Sequence, residues 1–118
     1  MQAVGGPGAL AIGAGTTLAA VSRHAEVRTR YAALATAAGA VATPQLRNMG
    51  TIGGNVCVDT RCNYYNQSYQ WRKAVDFCMK KDGEICLVAP GSPRCWAVSS
   101  SDTAPVLWSL GAKATLLG

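Results

Sequence analysis

The residues best suited to chemistry are cysteines. Cys62, Cys78, Cys86 and Cys95 lie within a segment that shows neither helical nor strand periodicity. Four thiolates suit zinc or a cubane iron–sulfur cluster, because both accept four sulfur ligands in a tetrahedral arrangement. Structural zinc sites usually contain close C-x2–4-C knuckles. The tightest pair here is the C-x4-C of Cys57 and Cys62, and the other gaps are wider. Spacing therefore disfavours zinc without excluding it and matches no compact ferredoxin pattern. It also fits ordinary buried cysteines, which pack as small hydrophobes.

The surrounding segment favours ligands. From Cys57 to about Ser101 the chain holds all five cysteines, the turns Asp82-Gly83 and Pro90-Gly91-Ser92-Pro93, and the aromatics Tyr64, Tyr65, Tyr69, Trp71 and Trp96. The aromatics argue against disorder, and a long irregular loop in a small domain needs something to tie it down. A four-ligand metal site would do so, since its binding free energy becomes folding free energy. Cys57 directly follows a glycine run and reads as a packing residue. The basic residues of the loop, Arg61, Arg72, Lys73, Lys80, Lys81 and Arg94, are interleaved with Asp76, Asp82 and Glu84. They read as a solvated polar face rather than a nucleic-acid surface.

Thr51-Ile52-Gly53-Gly54-Asn55 is the second candidate site. It is either a tight turn or a backbone that receives phosphate or ring oxygens through exposed N–H groups. Asn55 adds an amide with donors and acceptors, and Asp102 is either a helix cap or an acceptor for ligand hydroxyls. Gly50, Gly53 and Gly54 imply unusual backbone angles or a close approach. His24, at a helix end beside Arg23 and Glu26, reads as a surface residue.

Several elements frame these residues. Leu10 to Gly13 reads as a short strand. Thr16 and Thr17 cap a helix running to Arg23. Val27, Tyr31, Leu34 and Ala38 form one helical face, with Gly39 as its stop. Ser99 to Asp102 opens a helix over Thr103 to Leu110 that Gly111 ends, and Lys113 to Leu117 reads as a weak strand.

The 118 residues are 49% hydrophobic with a single Phe and a net charge of +5. That makes one domain with a thin core, or part of one. No apolar run is long enough to span a membrane. The N-terminus lacks the basic region of a secretory signal. Five cysteines without an export signal point to reduced thiols in a cytoplasmic protein, and so to metal or redox chemistry rather than disulfides. A structural zinc module and a basic nucleic-acid-binding module are the alternative classes.

Ile12-Gly13-Ala14, Thr43-Pro44-Gln45-Leu46-Arg47-Asn48, Thr51-Ile52-Gly53-Gly54-Asn55 and Ser101-Asp102-Thr103-Ala104-Pro105 together resemble the FAD-binding medium subunit of the molybdenum hydroxylases. Most of that family joins the last two motifs by a few residues. The cysteine-bearing insertion resembles the beta subunit of the 4-hydroxybenzoyl-CoA reductases, in Asp59 to Ser68, Phe77 to Gly83 and Ala89 to Cys95. The resemblance implies an α+β fold, the second lobe of a vanillyl-alcohol-oxidase-type FAD-binding domain, with an inserted [4Fe–4S] loop over 56–98. It implies that Thr51, Ile52, Gly53, Gly54, Asn55 and Asp102 bind FAD and that Val41 lies near the isoalloxazine. It also makes Cys62, Cys78, Cys86 and Cys95 cluster ligands and leaves Cys57 out. The implied role is electron transfer in aromatic degradation, with no catalytic residue on this chain. The implied partners are a large molybdenum-cofactor subunit, a small [2Fe–2S] subunit and a ferredoxin donor, with no nucleic acid and no membrane. The family's glycine-rich pyrophosphate segment and its C-terminal domain have no counterpart here, so the chain reads as a partial FAD-binding domain over 1–118.

Overall fold

The computed structural model describes residues 9–116. It separates into two units, Met1–Val58 with Ser101–Gly118, and Asp59–Ser100.

The first unit is helical. α1 (Leu18–Arg23) starts where the Thr17 hydroxyl accepts from Ala20 N–H. α2 (Ala25–Arg30) and α3 (Ala32–Ala40) share the face anticipated from periodicity: Val27 and Ala38 are fully buried and Leu34 nearly so. The expected single helix is broken at Tyr31, whose φ of −133° and ψ of 47° lie outside helical space. Gly39 does not stop the helix, because α3 continues to Ala40 with Val41 as its cap. Leu18, Val21, Val27, Leu34, Ala38 and Ile52 form the core, with Leu10, Ile12, Val106 and Leu107 packed against it.

Two short helices carry the glycine-containing segment. α4 (Pro44–Met49) begins with Pro44 at its first position, where the missing N–H costs nothing, and Thr43 caps it. α5 (Ile52–Val56) carries Gly53 and Gly54 inside a helical turn. The expected unusual glycine angles are absent there: among the described glycines only Gly111 has a positive φ, +65°, at the end of α7 (Ala104–Ser109). The expectation of a close approach fits Gly53, as shown below.

The second unit contains α6 (Tyr69–Ala74), capped by Ser68. Periodicity shows no sign of it, because a six-residue helix is too short to reveal its period. Around it lie turns. Arg61 and Val98 exchange both backbone hydrogen bonds, at 2.7 and 3.0 Å, and so join the two ends of this unit. Among the described residues β-pairing is confined to isolated bridges. No strand forms at Leu10–Gly13, where Leu10 and Ile12 pack on the helical core instead. Residues 113–116 of the other expected strand are irregular, and Leu117 lies outside the described residues. No helix is long and apolar enough to cross a membrane, among the described residues.

Candidate functional site

The glycine segment is built around Thr51. Its hydroxyl accepts from Gly54 N–H at 3.1 Å and its carbonyl from Asn55 N–H at 2.9 Å. Ile52 N–H donates to the Thr16 carbonyl at 2.9 Å, and Gly53 N–H to the Ala14 carbonyl at 3.0 Å. All four amides from Ile52 to Asn55 therefore have protein partners. That differs from the reading in which exposed N–H groups here await a phosphate.

A Cβ on Gly53 would lie 2.8 Å from Ala14 Cβ and 2.9 Å from its carbonyl oxygen. Only glycine lets α5 sit this close to the Ala14 backbone. Gly53→Ala is expected to destabilise the protein by up to about 2 kcal/mol. Overpacking costs about 1–3 kcal/mol, against a helix-propensity gain of roughly 1 kcal/mol. Gly54→Ala should be nearly neutral, since its Cβ would meet only Thr51 Oγ1 at 3.2 Å. Urea unfolding of the two variants checks the contrast.

Asn55 ties this segment to the Ser101–Thr103 turn. Its Oδ1 accepts from Ser101 Oγ (3.1 Å), Thr103 N–H (3.1 Å) and Thr103 Oγ1 (2.7 Å). Its Nδ2 donates to Asp102 Oδ2 at 3.4 Å. Thr103 is fully buried, while Asp102 is exposed. The amide thus fixes the turn and holds an open carboxylate in one orientation. Thr103, rather than Asp102, occupies the N-cap position of α7. Val41 is half-buried against the core, and its carbonyl accepts from Arg47 Nη1 at 2.8 Å.

In the second unit Cys62, Cys78, Cys86 and Cys95 line one small cavity, together with Tyr64, Tyr65, Met79, Lys80, Leu87, Val88 and Ala97. Each cysteine sits at a turn. The Cys62 carbonyl accepts from Tyr65 and Asn66 N–H, and that of Cys78 from Lys81 and Gly83 N–H. The Cys86 carbonyl accepts from Ala89 N–H. Ser92 Oγ organises the last turn, accepting from Arg94 N–H and Trp96 Nε1. Cys78 and Cys86 are buried, Cys62 is half-buried and Cys95 is exposed. Hydrogen bonds from the backbone of Ala89, then Trp96 and Val88, hold the Cys86 thiol below its ordinary pKa, against desolvation. Cys57 is exposed at the end of α5, so its reading as a packing residue is corrected.

Among the described residues no three His, Cys, Asp or Glu side chains are grouped to hold a metal ion.

Two basic residues of the loop are not on a solvated face. Arg72 is buried, its Nη2 donating to Asp82 Oδ2 at 3.0 Å, with its guanidinium over the rings of Tyr65 and Phe77. Lys80 Nζ donates to Asp59 Oδ1 at 2.7 Å and to Thr60 Oγ1, and lies 4.6 Å from the Tyr65 ring centroid. Both pairings join residues well separated in sequence, which charge patterning does not reveal.

The first unit holds an oriented carboxylate at Asp102, and the second holds a cavity lined by four thiols. The chain belongs to the FAD-binding domain family of the molybdopterin dehydrogenases, which it matches over residues 3–118. It is also 47% identical over 45 residues to the nicotinate dehydrogenase FAD-subunit of Eubacterium barkeri, covering 38% of this chain and 15% of that protein. The chain thus spans about a seventh of the curated relative's length. The family is one of oxidoreductase subunits that bind FAD.

The residues present fit part of that cofactor. Asp102, exposed and oriented by Asn55, suits a hydroxyl donor such as a ribityl chain. The amides of Ile52 to Asn55 already have partners and do not suit a pyrophosphate.

Proposed function

We propose that this chain is the flavin- and cluster-bearing part of an electron-transfer subunit in a molybdenum-containing oxidoreductase of the 4-hydroxybenzoyl-CoA reductase type. Electrons would pass between a [4Fe–4S] cluster, FAD and centres in a large molybdenum subunit and a small [2Fe–2S] subunit. The observation that carries this reading is the convergence of Cys62, Cys78, Cys86 and Cys95 on one cavity. Four thiols around one cavity suit a polynuclear cluster, which takes one sulfur on each of four irons. The lowered thiol pKa of Cys86 suits a sulfur that ligates as thiolate.

When bound, FAD and the cluster supply the redox chemistry, and the protein's part is to place and tune them. Asp102 would accept from flavin hydroxyls, Thr51 to Asn55 would form the surface beneath them, and Val41 would lie toward the ring. The four cysteines would hold the cluster. Backbone N–H groups near Cys86, and Ala97 N–H, which donates to Cys95 Sγ at 3.4 Å, would hydrogen-bond ligand sulfurs.

The test is anaerobic purification of the full-length subunit in its complex. About four iron and four sulfide per chain are expected from this subunit, with FAD alongside. One zinc and no visible absorption would refute the cluster. A second reading, a hydroxylase acting on nicotinate, draws on the 45-residue match. Assaying the complex with 4-hydroxybenzoyl-CoA and with nicotinate separates the two.

A further inference from the structure

Lys80 is the one charged residue in the described lining of the cysteine cavity. Its side chain is only 17% exposed. Asp59 Oδ1, Thr60 Oγ1 and the Tyr65 ring hold the ammonium from three sides. Asp59, by contrast, is largely exposed, its side chain 63% accessible. None of the other basic residues of this unit is in the described lining of the cavity. Arg72 is occupied by Asp82, Arg94 lies over Trp96 at 5.3 Å, and neither lines the cavity.

A cluster held by four thiolates carries net negative charge, and adding an electron increases it. A cation fixed nearby stabilises the reduced form more than the oxidised form, and net charge is one of the terms that set such potentials. A partly desolvated cation acts more strongly than one in water. We infer that Lys80 and Asp59 form a tuning pair for the redox group of the cysteine cavity, Lys80 raising its reduction potential and Asp59 tempering that effect. Lys80 is a positioning residue for charge, acting on the cluster without ligating it.

This inference rests on the cluster reading, and the test separates the two. The full-length subunit is loaded anaerobically, and its cluster is titrated against redox mediators with spectroscopic detection. Lys80→Met is expected to lower the midpoint potential, shifting the reduced-to-oxidised ratio at fixed potential about tenfold, or about 59 mV for a one-electron couple. Asp59→Asn should shift it in the opposite direction by less, and Lys80→Arg should stay near the native value. A pair that merely straps the loop would move both Lys80→Met and Asp59→Asn in the same direction, or move neither. Either outcome overturns the inference while leaving the cluster in place. If Lys80→Met fails to retain iron, Asp59→Asn against Lys80→Arg decides: a positive shift in the first and none in the second upholds the pair, and anything else overturns it. A native subunit without iron and sulfide refutes the cluster reading itself and this inference with it.

Discussion

Serine at Cys62, Cys78, Cys86 or Cys95 is expected to abolish or strongly perturb the cluster, whereas Cys57→Ser leaves iron and sulfide content unchanged. The four line one cavity in the second unit, and Cys57 is exposed in the first. A hydroxyl is a harder and less acidic ligand than a thiol, so each replacement loses a soft thiolate. The buried positions should suffer most. Cys78 is 6% exposed and Cys86 is 5% exposed, so water does not readily substitute for a lost sulfur there. Cys95, open to solvent, should tolerate serine best and retain a labile cluster. Iron and sulfide analysis with visible absorption reads all five variants. Equal loss from Cys57→Ser would overturn the ligand assignment.

Asn55→Ala is the second large effect. It removes the acceptor shared by Ser101 Oγ, Thr103 N–H and Thr103 Oγ1. Thr103 is fully buried, so its donors have no water to turn to. A buried donor left without a partner costs about 1–3 kcal/mol. With relaxation of the turn, a total loss of about 2–4 kcal/mol is expected in chemical unfolding. Asn55→Asp retains the acceptor and should cost less, but it replaces the Nδ2 donor with an anion beside Asp102. Under the flavin reading, both variants release FAD from the assembled complex, Asn55→Asp while still folded. Flavin content after gel filtration, measured beside stability, distinguishes lost orientation of Asp102 from general unfolding. Full flavin occupancy in folded Asn55→Asp would mean that Asp102 is not a flavin contact.

Local signals were readable where one side chain closes one helix end. Thr17 before α1 and Gly111 after α7 both follow from residue type, and the apolar stripe Val27, Leu34 and Ala38 identifies its buried face despite the break at Tyr31. The Thr43-Pro44 and Thr51-Ile52 pairs are also helix starts, but the adjacent glycines and proline mask them as irregular chain. Gly53 is explained by Ala14, which approaches it from far away in sequence. Long-range pairings leave no periodic trace. Asn55 with the Ser101–Thr103 turn, Lys80 with Asp59 and Arg72 with Asp82 all depend on how the chain returns on itself. For the same reason spacing alone does not show that four scattered cysteines share a cavity.

The backbone exchange between Arg61 and Val98 has a consequence for how such a chain can change over time. The second unit closes its own two ends, while Asn55 draws together the ends that the first unit leaves open on either side of it. Each unit thus closes on itself. A segment whose entry and exit lie side by side is the kind that chains gain and lose most readily. The cysteine-bearing unit is in that sense a portable cassette: its removal, with a short turn in its place, would leave the clamp on Asp102 intact.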